Sequence, residues 1–275
     1  MFYVWIIVKK YKYNKMLFLI FTLLILTHGY KFNFKLPENL FRYDEKYSNI
    51  MLRRSKLIYN HSNYTEFEQI YKEKVFNLTP AGINGFYMLG IIKRMNEIYD
   101  MDNFIFSGAS AGSWNGLILC SYKRKEIFDN IESDPYFFKI KKFHELQRFM
   151  KNYFLTNYES SDFNFTKLFI GVTQYQGFHM YTNIFSDFYN LEDCLDCCIA
   201  SSHIPLITNG LIQKYDEKFT FDGGFSSNPY VKYGHIIAPN MYRELDDGLN
   251  PGKDAKQLYK EGYDDTVNLN EKKLY

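Results

Sequence analysis

Short, wholly apolar runs bounded by turn residues recur through the middle of the chain, and longer stretches with apolar positions at helical spacing lie between them. Lys74-Val75-Phe76-Asn77-Leu78 predicts a first strand, followed by the turn Thr79-Pro80-Ala81-Gly82-Ile83-Asn84-Gly85. A helix over Phe86–Asp100 comes next, with Tyr87, Leu89, Ile91 and Met95 as its apolar positions. Phe104–Phe106 predicts a second buried strand, broken by Gly108-Ala109-Ser110-Ala111-Gly112 and continued as a helix through Leu117–Cys120. Strand, turn, helix, strand, turn, helix implies a parallel sheet with crossover helices. Farther on, Leu168–Thr173 and His179–Ile184 read as strands, and Asn190–Ser201 reads as a helix that Pro205 stops. Phe219–Phe221 forms another apolar run, leading directly into Asp222-Gly223-Gly224, and Asp254–Tyr263 is a helical stretch in a charged tail.

Two segments leave their role open on pattern alone. Residues 30–72 are polar and mixed, an extension with a leading helix at Thr65–Lys74. Residues 134–154 interleave lysines with aromatics, and Leu146, Phe149, Met150 and Tyr153 fall on one helical face. That face either packs on the core or rests on anionic lipid, with lysines at the headgroups. No repeat or low-complexity linker divides the chain, so it reads as one domain.

The serine turn is the first candidate for chemistry. Gly108 and Gly112 leave the backbone room for a sharp strand-to-helix turn that keeps Ser110 Oγ accessible. The helix starting there points N–H groups and its positive end at an oxyanion forming beside the serine. The Gly82 turn follows a parallel strand too, so it faces the same sheet edge and offers further N–H donors. Asp222, at a strand end before two glycines, is placed to accept a proton from a neighbouring hydroxyl, although Asp-Gly-Gly also serves as a plain β-turn.

Bulk properties narrow the classes. At 275 residues the chain is long enough for one sizeable α/β domain. A formal net charge of +2 makes no electrostatic case for nucleic acid. Cys194, Cys197 and Cys198 cluster and Cys120 stands apart, with no second Cys/His group at zinc-ligand spacing, so packed helical thiols are the reading. A long-range disulfide through Cys120 stays open. At the N-terminus the apolar blocks Phe2–Val8 and Leu17–Leu26 flank Lys9, Lys10, Lys12 and Lys15. The second block has the length of a signal-peptide core, with cleavage near Gly29 or retention as an anchor. Sequons at Asn60, Asn63 and Asn164 point the same way, toward the secretory pathway; Asn77 fits the pattern too but is followed by Thr79-Pro80.

With Gly82, Ser110 and Asp222 in this order, the chain resembles the patatin-like phospholipases over about residues 74–268. Phe106-Ser107-Gly108-Ala109-Ser110-Ala111-Gly112 is similar to that family's nucleophile turn, and Ala200-Ser201-Ser202-His203-Ile204-Pro205 to its Ala-Ser-x-Ala-Ile-Pro segment. Phe221-Asp222-Gly223-Gly224 with Asn228-Pro229 resembles its Asp-Gly-Gly signature, and Leu258–Asp265 its closing helix. The resemblance implies a three-layer α/β patatin-like fold, a mainly parallel central sheet with helices on both faces. Taken with the N-terminal pattern, the chain divides into a signal peptide or N-terminal anchor (1–29), an extension (30–72), the patatin-like domain (73–268) and a tail (269–275). The resemblance further implies a Ser–Asp dyad with Ser110 as nucleophile and Asp222 as general base, no metal and no cofactor. Oxyanion donors then fall on Gly82, Ile83 and Ala111, with Gly85, Gly108, Gly112, Gly223 and Gly224 supporting the turns. The implied partner is a phospholipid or neutral glycerolipid, met at a membrane or lipid-droplet surface; many relatives work on intracellular membranes or droplets.

The chain departs from the family in the oxyanion loop. Many members carry Asp-Gly-Gly-Gly-x-Arg/Lys-Gly where this chain has Thr79–Gly85, closer to the adiponutrin type. Pro80 has no N–H to donate. Ala81 has one, provided the turn does not demand positive φ there, and Asn84 removes a charge. Two other readings stand beside the dyad hydrolase. One is a Ser-Asp-His hydrolase using His235, the only histidine after Asp222. The other is a non-catalytic lipid-binding protein with a patatin-like shell, which the altered loop favours.

Overall fold

The computed structural model describes residues 74–269, except 177–178, 209, 227–228, 232–233, 246–247 and 250–253. The signal or anchor segment, the leading helix and the sequons at Asn60 and Asn63 lie outside the described residues. Among the described residues the strands are β1 (Val75–Leu78), β2 (Ile105–Gly108), β3 (Leu168–Gln176), β4 (His179–Phe185), β5 (Gln213–Tyr215), β6 (Lys218–Phe221) and β7 (His235–Ile237). The helices are α1 (Gly85–Ile98), α2 (Ala111–Leu119), α3 (Arg124–Ser133), α4 (Phe143–Asn157), α5 (Leu191–Ser201) and α6 (Ala255–Leu269).

All strands join one sheet, with hydrogen-bonded order β5-β6-β3-β2-β1-β7 and β4 also paired to β3. β7, β1, β2 and β3 run parallel. β4 and β6 run against β3, and β5, antiparallel to β6, returns to the common direction. The sheet is therefore mixed with mostly parallel strands, the α/β class expected. Every residue of β1 and β2 is buried, odd and even positions alike, so helices cover the sheet centre on both faces. That is why these strands read as unbroken apolar runs rather than as alternating ones.

The register of β3 sets up the site. Ile170 pairs with Gly108 of β2 on one side and Phe185 of β4 on the other. Thr173 pairs with Phe221 of β6 and Thr182 of β4. A strand has two edges, and β4 holds one of them throughout. β2 and β6 therefore share the other edge, approaching end to end. The C-terminal ends of β2 and β6 face each other across Gly171, and the serine turn and Asp222 leave from those two ends.

Several boundaries differ from the sequence reading. β3 and β4 are longer and form one antiparallel ladder, from Ile170↔Phe185 to Gln176↔His179. β5 has only three residues and is recognisable by its pairing with β6 rather than by any apolar run. α3 has an overall polar sequence with Ile127, Phe128 and Ile131 as its buried stripe, and the pattern did not single it out. α4 resolves the open segment: Gln147, Met150 and Phe154 are buried, and Phe149 and Tyr153 pack around Phe137. Its Lys151 pairs with Asp196 and Glu192 of α5. The four cysteines are buried and none of them is in a disulfide, and Asn77 is buried in β1.

Candidate active site

Ser110 sits between β2 and α2 with φ +55° and ψ −126°, a conformation a non-glycine residue holds only when its surroundings enforce it. The enforcement comes from close backbone packing. A Cβ on Gly108 would lie 2.3 Å from the Gly112 carbonyl oxygen, and one on Gly112 would lie 2.0 Å from the Leu78 carbonyl oxygen. Only glycine allows α2 to start so near β1. The serine backbone is also tied at both ends: its N–H donates to Ser201 Oγ at 2.9 Å, and its carbonyl accepts from Ser113 Oγ at 2.7 Å. Ser201 Oγ in turn donates to the Gly171 carbonyl at 2.6 Å. One hydroxyl at the end of α5 thus bridges the nucleophile turn to the stretch of β3 between β2 and β6.

Asp222 reaches the serine from β6. Ser110 Oγ donates to Asp222 Oδ2 at 2.5 Å. The Gly224 N–H donates to Asp222 Oδ1 at 2.7 Å, and Asp222's own N–H donates to the His203 carbonyl at 2.7 Å. Both carboxylate oxygens are therefore engaged, and among the described residues no histidine is one of their partners. Burial pushes the Asp222 carboxyl up to about 6, while the bonds from Ser110 and Gly224 pull it back toward the ionised form. Tyr230 lies near enough for the Asp222 charge, after burial, to raise its own hydroxyl above the usual value. His203 is buried beside Thr208, and burial holds its imidazole below the ordinary histidine value.

The sequence-derived oxyanion residues fare differently. Gly82 has φ +54° and opens a 3-10 turn over Gly82–Asn84; Ala81, at φ −146°, is spared the left-handed conformation. Gly82 and Ala111 line the same cavity as Ser110 and Asp222. Among the described residues neither Gly82 N–H nor Ala111 N–H has a hydrogen-bond acceptor. The Ile83 N–H, by contrast, donates to the Gly248 carbonyl at 2.7 Å, so it is committed elsewhere in this conformation. Gly85 begins α1 beside Ala111, and Gly223 and Gly224 form the turn after Asp222. His235 is not brought to the pair. It begins β7, at the outer edge of β1, exposed and tilted against Phe76.

Behind Ser110 lies a largely apolar cavity enclosing about 690 Å³ including its open mouth, walled by α1, α2 and α4 and by the segment Ser202–Thr208. Its donors are paired within the wall: Trp114 Nε1 and Gln147 Nε2 both donate to Ser202 Oγ, and Asn115 Nδ2 donates to the Gly85 carbonyl. Among the described residues no group of three or more His, Cys, Asp or Glu is arranged to hold a metal. No helix there is long and apolar enough to cross a membrane. Sequence reasoning named the Ala200–Pro205 segment without a role for Ser201; a small hydroxyl residue ending a helix just before a proline was the available signal. Ser113 gave no signal beyond its place in the turn.

Fold and site together define an α/β protein with a serine–carboxylate pair at the mouth of an apolar cavity. The patatin-like phospholipase family model matches residues 81–233, more than half of the chain, and the chain belongs to that family. Its members are in general hydrolases acting on lipid esters. No curated protein and no solved structure matches the chain.

Proposed function

We propose that the protein is a serine lipid acyl hydrolase that cleaves fatty-acyl esters of phospholipids or neutral glycerolipids through an acyl-enzyme on Ser110. The observation that carries this reading is the 2.5 Å hydrogen bond from Ser110 Oγ to Asp222 at the opening of the apolar cavity. Serine is a weak nucleophile at its free pKa and needs a base within hydrogen-bond reach. Asp222 takes the Ser110 proton as Oγ bonds to the ester carbonyl carbon. The resulting oxyanion is met by the N–H groups of Gly82 and Ala111, backed by the N-terminus of α2. Collapse breaks the ester C–O bond, and the proton on Asp222 passes to the leaving alcohol. Water then enters, gives a proton to Asp222 and attacks the acyl carbon, releasing the fatty acid and returning the proton to Ser110. In this scheme Ile83 does not donate while Gly248 holds its N–H. No step needs a metal or a cofactor. The protein would meet its substrate at a membrane or lipid-droplet surface, with residues 1–29 directing it to the secretory pathway as a cleaved signal or a retained anchor.

Fatty-acid release from a mixed phospholipid and triacylglycerol panel, with calcium chelated, tests the proposal. Wild type releases fatty acid, and Ser110→Ala and Asp222→Asn do not. Folded, lipid-bound wild type that releases none would sink the hydrolase reading in favour of a lipid-binding role. Loss of release on chelation would overturn metal independence.

A further inference from the structure

Two exposed features border the cavity at Ser110. The first is the loop of residues 206–212. Ile204 and Thr208 line the cavity, and Leu206 between them is 53% exposed. Leu211 and Ile212 follow at 49% and 66%, and no charged residue occurs from 204 to 213. The Leu206 N–H donates to the Gly210 carbonyl at 2.8 Å, which closes the loop and holds Leu206 at φ +67°. Glycine or asparagine adopts that conformation at lower cost, and either would be better hydrated there. A short loop therefore holds three large aliphatic side chains in water, one of them on a strained backbone.

The second feature is the run before α4. Phe137 and Phe143 line the cavity, and between them Lys139 and Lys141 are exposed while Ile140 is buried. The apolar face of α4 packs on the core, but these lysines take no part in that packing. Among the described residues neither forms an ion pair, whereas the neighbouring Lys142 is paired with Glu145 at 3.1 Å. Uncharged aliphatic side chains on one border of the cavity thus stand with uncompensated positive charge on another. A bilayer with anionic headgroups answers both at once, hydrocarbon for the loop and phosphates for the lysines. We infer that this rim docks the protein on an anionic phospholipid bilayer, with residues 206–212 entering the interface and Lys139 and Lys141 at the headgroups. The inference rests on the acyl-hydrolase reading only for its effect on turnover; the docking itself is readable without turnover.

The test uses the full-length chain carrying an environment-sensitive fluorophore on Ile212→Cys, the native cysteines being buried. The control carries the same label on Ile236→Cys, 61% exposed on β7 at the far end of the strand order. Vesicles of phosphatidylcholine containing phosphatidylglycerol brighten and blue-shift the label at 212. Pure phosphatidylcholine does so far less, and the label at 236 responds to neither. Lys139→Gln with Lys141→Gln weakens the response at 212 about fivefold for each lysine removed, and added salt weakens it as well. Leu206→Asn weakens it about tenfold, the effect of withdrawing one leucine side chain from hydrocarbon. That variant keeps its melting temperature, because asparagine accepts the left-handed backbone. Equal responses at 212 and 236, equal responses on neutral and anionic vesicles, or a response that neither variant changes overturns the inference. So does a shift at 212 that follows protein concentration without lipid, which marks a contact between copies of the chain. In turnover, the lysine variant slows on phosphatidylglycerol vesicles and is unchanged on water-soluble p-nitrophenyl butyrate; equal slowing on both counts against docking. The expected response at 212 in a protein that hydrolyses neither substrate upholds docking and contradicts the acyl-hydrolase reading instead.

Discussion

At Asp222 burial and hydrogen bonding work against each other. Removal from water favours the neutral acid, and the bonds from Ser110 and Gly224 favour the carboxylate, leaving the pKa at about 6. A base with that value is ionised at neutral pH yet strong enough to accept the serine proton. Activity is therefore expected to fall as pH drops through about 6, which the acid limb of kcat/KM against pH would show; a limb near the ordinary aspartate value would contradict it. The same shift has a stability consequence of definite sign. The folded pKa lies above that of the unfolded chain, so the contribution of Asp222 to stability is fully present at low pH. It is lost as pH rises from about 4 through about 6. Asp222→Asn, which keeps an acceptor for Gly224, should raise stability at neutral pH by up to about 3 kcal/mol while removing activity, with the gain vanishing below pH about 4. Thermal unfolding across that range measures it, and a destabilised Asp222→Asn at neutral pH would sink the idea.

At the scale of elements, the site exists because β2 and β6 share one edge of β3 and end facing each other. The serine turn and the Asp-Gly-Gly turn are each legible locally, since each needs small residues at fixed positions. Their meeting is not, because it depends on the pairings Ile170↔Gly108 and Thr173↔Phe221, which no local pattern encodes. Ser201 was hidden for the same reason: its hydroxyl matters only once α5 is docked between Ser110 N–H and the Gly171 carbonyl. Ile83 shows the opposite failure. The loop sequence offers its N–H as a donor, and only the fold reveals that Gly248, far along the chain, already accepts it. Ser201→Ala leaves a buried donor and a buried acceptor unmatched, an expected cost of about 1–3 kcal/mol together with a drop in kcat. Ser201→Thr, which keeps the hydroxyl, should recover part of both; an Ala variant with wild-type melting and turnover would refute the bridge. Gly112→Ala should be far more damaging, since the added methyl meets the Leu78 carbonyl rather than a side chain that could swing away. Circular dichroism of the purified variant reads that loss of fold directly.

For the whole molecule, the stretch that the family model matches, residues 81–233, is smaller than the described domain. β7 and α6 lie beyond residue 233, yet β7 pairs with β1, and α6 crosses α1 closely enough that a Cβ on Gly262 would lie 1.9 Å from the Tyr87 carbonyl oxygen. Tyr87 and Arg243 both bond to Asp265, and Tyr259 bonds to Glu132 of α3. Ala255, Leu258 and Tyr259 are buried, the two larger side chains alone contributing about 1.5–3 kcal/mol each against a total stability of about 5–15 kcal/mol. A chain ending at residue 254 is thus expected to lose cooperative unfolding, seen as the absence of a sharp thermal transition. The charged tail was readable as a helix from its spacing, but its place against α1 was not. The most direct test of the Ser110–Asp222 pair is capture of the serine by an alkyl phosphonofluoridate, followed by intact mass and peptide mapping. The expected result is one adduct on Ser110, formed at a rate that rises through pH about 6 and falls at least about a hundredfold in Asp222→Asn, the scale of general-base assistance. An adduct formed equally fast without the Asp222 carboxylate, or no adduct on Ser110 at all, would contradict it.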